Sequence, residues 1–255
     1  MSGESSAVNR AAEGVWDVFK TVAYALLIAL ALRVFVFQPF SIPSGSMNPT
    51  LIKGDFIIVW KFGYGFSHHS IPFSPKLFSG RLLANEPTRG DVVVFKYPPD
   101  DRTDYVKRLV GMPGDRVQVI GGVLHINGEA VKREFLGERV IEEDLGAVTV
   151  ETTVQEWRET LPNGKTYVIH ERGDGEPNDN TQVFEVPANH YFMMGDNRDN
   201  SEDSRVATAV GYVPAENLVG PTNFVILSYR DGAQLWKPWT WVTHFRADRF
   251  ANGVK

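Results

Sequence analysis

The 255-residue chain contains no cysteine, which removes disulfides, thiolate metal sites and a cysteine nucleophile from consideration. It has no basic blocks, and its formal net charge of -5 argues against nucleic acid as the main partner. No repeat recurs at solenoid spacing. Long apolar runs are also scarce, with one clear example. After Lys20 the stretch "TVAYALLIALAL" carries no charge, and "VFVF" follows Arg33. Positions 21–37 hold a single charge and sit at the lower length limit for a membrane span. A cleaved leader fits less well. Its first region should be basic, yet Glu4, Glu13 and Asp17 outnumber Arg10 and Lys20, and the Ala29–Ala31 site lies inside the run. A retained transmembrane anchor at 16–38 is therefore expected, preceded by a tail at 1–15, with Arg33 snorkelling toward headgroups. Charge bias is too small to orient it.

What the chain has in plenty is core material. Apolar residues make up 43% and aromatics 12%, enough for a packed body and too much for wholesale disorder. Beyond residue 50, short segments rich in β-branched and aromatic residues alternate with turn dipeptides. They are "DFIIVWKF", "DVVVFKYP", "DYVKRLVG", "RVQVIGGVLHING", "GKTYVIHE", "HYFMMGD" and "NFVILSYR". The pattern predicts a mainly β protein, an antiparallel sandwich or partly open barrel. Two stretches read as insertions: 63–88, with its His68-His69 pair, and about 117–187. The segment "LWKPWTWVTHF" gathers three tryptophans and reads as the edge of a small core, with an interfacial membrane belt as the alternative.

The stretch "IPSGSMNPTL", residues 42–51, crowds turn-formers around a small hydroxyl. It is either a tight linker or a held nucleophile, Ser46, with Ser44 beside it. A serine needs a base to take its proton. Six histidines are available, but none has a compact glycine-flanked setting, and the G-x-S-x-G elbow is absent around Ser46. Lysine is the other partner type. On a strand, Tyr105, Lys107 and Leu109 share a face, which is where desolvation lowers an amine's pKa. Half-neutrality at pH 7 requires a shift of about 3.4 units, or about 4.6 kcal/mol. The plain alternative is a strand-edge lysine whose head reaches water. The stretch "MMGDNRDNSEDSR", residues 193–205, lacks calcium-loop spacing and reads either as a solvated turn or as groups that orient a catalytic neighbour.

Five blocks in order, "PSGSMNPTL", "GDFIIV", "RGDVVVFKYP", "DYVKRLVGMPGD" and "GDNRDNSEDSR", resemble the bacterial type I signal (leader) peptidases over roughly residues 38–227. The resemblance implies a membrane-anchored serine endopeptidase that removes signal peptides from exported precursors. It assigns Ser46 as nucleophile and Lys107 as general base, with the Ser46 N–H and the Ser44 hydroxyl as oxyanion hole. It implies Ser201 hydrogen-bonded to the lysine and Asp203 paired with Arg205. Phe40, Ile42, Pro43, Met47, Leu51, Ile57, Val94, Asp104, Tyr105 and Val106 would line substrate pockets for small residues at positions -3 and -1. The implied fold is an antiparallel β catalytic core, 39–116 and 188–255, with a second β domain inserted at 117–187. Expected partners are precursor proteins, membrane lipid and the secretion translocase, with no cofactor, metal or nucleic acid. The expected location is the inner (cytoplasmic) membrane, single-pass, with the catalytic part on the periplasmic side. The chain departs from the family at 63–88, and at Pro221, where a basic residue is frequent.

Overall fold

The computed structural model describes residues 2–145, 148–233 and 236–254. Met1 of the expected tail, positions 146–147 of the expected insertion and Leu235 of the tryptophan segment lie outside the described residues. A single long helix, α1 (Ser2–Phe35), opens the chain. Its stretch Trp16–Phe35 has a mean hydropathy of 1.9 and none of it is buried by the rest of the protein. At 1.5 Å per residue these residues extend about 30 Å, the thickness of a bilayer's hydrocarbon core. The helix ends at Phe35, three residues short of the expected anchor boundary at 38. Pro39 cannot continue a helix, and Phe37–Ser41 instead forms the edge strand β1, where a missing N–H is tolerated.

The body is a curled antiparallel sheet. Strands β2 (Asp55–Trp60), β3 (Val92–Lys96) and β4 (Asp104–Gly111) are the valine- and isoleucine-rich runs. Four strands, β5 (Arg116–Ile120), β6 (Val123–Ile126), β7 (Glu129–Ala130) and β8 (Lys132–Leu145), lead into β9 (Val148–Thr160) and β10 (Thr166–Glu171). The chain continues through β11 (Phe184–Glu185), β12 (His190–Met194), β13 (Val213–Pro214) and β14 (Leu218–Ser228), then a short helix α2 (Pro238–His244) and β15 (Asn252–Gly253). The main sheet runs β1-β2-β14-β3-β4-β12-β13, with β15 on β14. Between β4 and β12 the chain builds two further sheets, β10-β9-β8 and β11-β5-β6-β7.

These sheets are packed as one mass. Val110 of β4 and Phe192 and Met194 of β12 share a cluster with Val117, Leu124, Ile169 and Phe184 from the intervening strands. A second cluster joins Ile42, Met47, Leu51, Ile57, Val94 and Val225 behind the β1–β2 connection. The segment 63–88 has no regular strand but is not loose. The Arg81 guanidinium donates to the carbonyls of Tyr64, Gly65, Ala215, Glu216 and Leu218, at 2.6–3.4 Å, and so ties the segment to the start of β14. The tryptophan segment departs from the core-edge reading. Trp236, Trp239 and Trp241, on and just before the two-turn helix α2, are all exposed.

Candidate active site

Three segments that are remote in sequence converge at one groove. The first is the β1–β2 connection. Its turn closes with Asn48 N–H donating to the Gly45 carbonyl (3.0 Å) and Leu51 N–H donating to the Met47 carbonyl (2.9 Å), which leaves the Ser46 side chain pointing out of the bend. Among the described residues the Ser46 N–H has no acceptor, while its carbonyl accepts from Asn197 N–H at 3.1 Å. Ser44 Oγ lies 3.4 Å from Ser46 Oγ.

The second segment is β4. Its register against β3 pairs Val93 with Lys107 and Val94 with Val106, placing the lysine mid-strand in a sheet with strands on both sides. Lys107 is 3% exposed, its amine lies 5.8 Å from the Tyr105 ring centre, and Nζ is 2.5 Å from Ser46 Oγ. Burial pushes the amine down from 10.5 to about 8, with the carboxylates of Asp203 and Asp196 pulling back upward. The strand-edge lysine with its head in water is therefore not what the chain forms.

The third segment, 195–205, follows β12. Gly195 is required by close approach, since a Cβ there would sit 2.2 Å from Ser201 Oγ and 2.5 Å from the Ser46 carbonyl oxygen. Asp203 and Arg205 form the expected pair, two hydrogen bonds of 2.9 Å, both side chains buried. Burial alone would raise the Asp203 carboxyl, but Arg205, the Gly195 N–H and Lys107 outweigh it and hold the group below its usual range. The expected bond from Ser201 to the lysine is not formed. Ser201 sits in extended backbone past the Arg198–Asn200 turn, and its buried Oγ, packed against Gly195, has no partner.

A buried ion pair locks the three segments together. Arg108 donates to Asp196 at 2.8 and 2.7 Å, and Thr50 Oγ1 donates to the same carboxylate at 2.5 Å. Removing one partner of such a pair strands a buried charge, at a cost of about 3–5 kcal/mol. Sequence reading did not reach it, because Arg108 and Asp196 lie 88 positions apart.

The groove has a volume of about 670 Å³ and is lined by Phe40, Ile42, Pro43, Ile57, Val94, Asp104, Tyr105 and Val106 beside Ser44, Ser46, Lys107 and Ser201. Two expected wall residues are not there. Met47 and Leu51 are fully buried in the cluster behind the wall, because the turn that exposes Ser46 directs its apolar neighbours inward. The wall also includes residues that sequence reading missed: Ser41, Thr103, Asn178, Asp199, Asn200, Glu202 and Val206. Asp199, Asn200 and Glu202 lie inside the last recognised block, and Ser41, Thr103 and Val206 lie within two residues of one. Asn178 comes from the polar loop after β10, which folds back as the N–H groups of Gly175 and Glu176 donate to Asp179 at 2.7 and 2.8 Å.

A dry amine against a serine hydroxyl, at the floor of an open and partly apolar groove, is an arrangement suited to acyl transfer on an extended peptide. Comparison with known proteins agrees with that class. The family model described as "Signal peptidase, peptidase S26" matches residues 15–227. A signal peptidase I of Rickettsia felis is 39% identical across 88% of this chain and 82% of its own length. One from Rickettsia canadensis is 40% identical across 82% and 79%. A crystal structure of a signal peptidase I from Enterococcus faecalis V583 is 26% identical over 54% of this chain and 97% of that one. Its TM-score is 0.33, too low to bear on the fold. The chain belongs to the signal peptidase family, peptidase S26.

Proposed function

We propose that the protein is a membrane-anchored serine endopeptidase in which Ser46 and Lys107 cleave signal peptides from exported precursors after small residues at -3 and -1. The observation that carries this reading is the 2.5 Å approach of Lys107 Nζ to Ser46 Oγ, inside a site that drives the amine toward its neutral form. In the neutral state Lys107 accepts the Ser46 proton as Oγ attacks the scissile carbonyl carbon. The oxyanion that forms meets the free N–H of Ser46 and the Ser44 hydroxyl. Collapse breaks the C–N bond, and the lysine, now charged, delivers its proton to the leaving amine. Lys107 then takes a proton from water, whose oxygen attacks the acyl-serine ester. Collapse of this second tetrahedral intermediate breaks the C–Oγ bond, the charged lysine returns its proton to Oγ, and the acid product leaves the restored site.

Substrate shape follows from the strand edges. A peptide lying extended along the groove directs alternate side chains to the same wall, so positions two apart are read together. Ile42, Ile57, Val94 and Val106 present a shallow apolar surface that suits small groups. Asp203 and Arg205 position the floor beneath the lysine. Helix Trp16–Phe35 serves as a single-pass anchor in the inner membrane. Only ten positions separate Phe35 from Ser46, which holds the groove near the periplasmic surface, where lipid and the translocase meet an emerging precursor. Residues 117–187 act as an inserted β domain between the lysine block and the 195–205 segment.

The test is cleavage of a labelled signal-bearing precursor by the detergent-solubilised chain. Ser46→Ala and Lys107→Ala are expected to abolish cleavage while leaving circular dichroism unchanged. Full activity in either variant would overturn the assignment.

A further inference from the structure

The segment 63–88 holds a cluster that the peptidase chemistry does not use. His68 and His69 lie in a short turn fixed by a reciprocal cap. The Ser67 hydroxyl accepts from the His69 N–H at 3.3 Å, and the Ser70 hydroxyl accepts from the Ser67 N–H at 3.2 Å. The buried Lys61 amine donates to the Ser70 carbonyl at 2.5 Å. This framework sets the two imidazoles side by side, with ring centres 3.8 Å apart. Asp101, from the β3–β4 turn and in left-handed backbone (φ 57°), completes the group. Its Oδ1 is 3.0 Å from His69 Nε2 and its Oδ2 is 3.9 Å from His68 Nε2.

Both histidines are at least nine-tenths buried, at 5% and 4% exposure. None of their four ring nitrogens makes a hydrogen bond, the Nε2 atoms facing Asp101 included. Buried nitrogens without partners are rare in folded proteins and call for an explanation.

We propose that His68, His69 and Asp101 form a binding site for a divalent transition-metal ion of the Zn²⁺ or Co²⁺ type, with water at the fourth position. One ligand atom from each residue lies within 4.8 Å of the other two. Tetrahedral coordination with bonds of about 2.0–2.1 Å places ligand atoms about 3.3 Å apart; Asp101 Oδ1 lies 3.0 Å from His69 Nε2, and its other oxygen, Oδ2, lies 3.9 Å from His68 Nε2. Two imidazoles and a carboxylate select such ions over copper(I), which favours sulfur, and over calcium or magnesium, which favour all-oxygen shells. Two groups compete for the aspartate. Asn217 Nδ2 is 3.4 Å from Oδ1, and Lys76 Nζ is 3.5 Å from Oδ2 on a side chain exposed enough to swing away. The ion ties the irregular segment to the β3–β4 turn, which carries Thr103 and Asp104 to the rim of the groove.

The test uses the full chain without a polyhistidine tag, in detergent, titrated with Co²⁺. The expected result is one Co²⁺ per chain with the strong visible absorption of a four-coordinate site, bleached by Zn²⁺. His69→Gln and Asp101→Asn each weaken uptake by at least about tenfold, whereas His125→Gln leaves it intact. Lys76→Ala tightens uptake by removing a competing cation. Asp101 is partly exposed, so Asp101→Asn remains folded and decides the matter if the histidine variant does not. Absence of stoichiometric uptake, or uptake unchanged in Asp101→Asn, overturns the proposal.

Discussion

The acidity of Lys107 gives the account its most quantitative consequence. With the amine held at about 8, the proposed mechanism makes its neutral fraction set the rate of acylation. That fraction is about 1% at pH 6, about 9% at pH 7, about 50% at pH 8 and about 91% at pH 9. Because kcat/KM reports ionisations of the free enzyme, it rises about tenfold from pH 6 to 7 and about fivefold from 7 to 8. From pH 8 to 9 it rises less than about twofold and then levels. The assay is initial cleavage rate of a fluorogenic signal-peptide substrate, well below KM, in constant-ionic-strength buffers from pH 6 to 10. Circular dichroism at each pH confirms that the fold is intact. A midpoint near 6.5 that disappears on changing a histidine, or a flat profile across the range, would refute the reasoning.

Other outcomes follow from the same geometry. A lysine lowered from 10.5 to about 8 binds fewer protons folded than unfolded between those values, so stability rises with pH through that window. Below about pH 8 the penalty is complete, at most about 3 kcal/mol, and Lys107→Met should be the more stable protein at pH 7, with its advantage fading toward pH 10. Denaturant titrations at pH 7 and 10 measure this, and a variant less stable at both would contradict it. Ser44→Ala is expected to lower kcat by about tenfold to a hundredfold with KM unchanged, less than a fully buried oxyanion donor costs, because the hydroxyl is exposed. A raised KM at unchanged kcat would point to ground-state binding instead. Gly195→Ala forces a methyl against Ser201 and the Ser46 carbonyl, and should lose about 1–3 kcal/mol together with most activity. A melting temperature and rate equal to the parent's would show that the contact is not needed.

The sequence revealed the parts of this molecule whose physics is local. The runs that became β2, β3 and β4 are β-branched and bounded by turns, so their strands were readable, as was the serine at a Pro-Gly bend. Strand β1 was hidden because its two phenylalanines continue the hydropathy of the anchor, and only pairing with β2 separates them. The hairpin of β8 and β9 was harder to see. β8 is dense in Glu and Arg and β9 in Glu and Thr, and cross-strand pairs such as Arg158 with Glu134, rather than apolar alternation, occupy their faces. Met47 and Leu51 were misplaced because a one-residue change of direction in a turn exchanges wall for core. The Arg108–Asp196 lock depends on segments 88 positions apart meeting, which no single stretch encodes. The exposed tryptophans teach the same lesson in reverse, since apolar composition does not by itself determine what covers it.

The central claim is that Ser46 becomes acylated because Lys107 removes its proton. The measurement that reaches it most directly is mass spectrometry of the intact chain, followed by peptide mapping, after exposure to a serine-reactive β-lactam or boronate. The account predicts a single adduct on the peptide carrying Ser46, none in Ser46→Ala, and greatly slowed labelling in Lys107→Met. An adduct on another residue, or continued precursor cleavage with Ser46 unmodified, would contradict it.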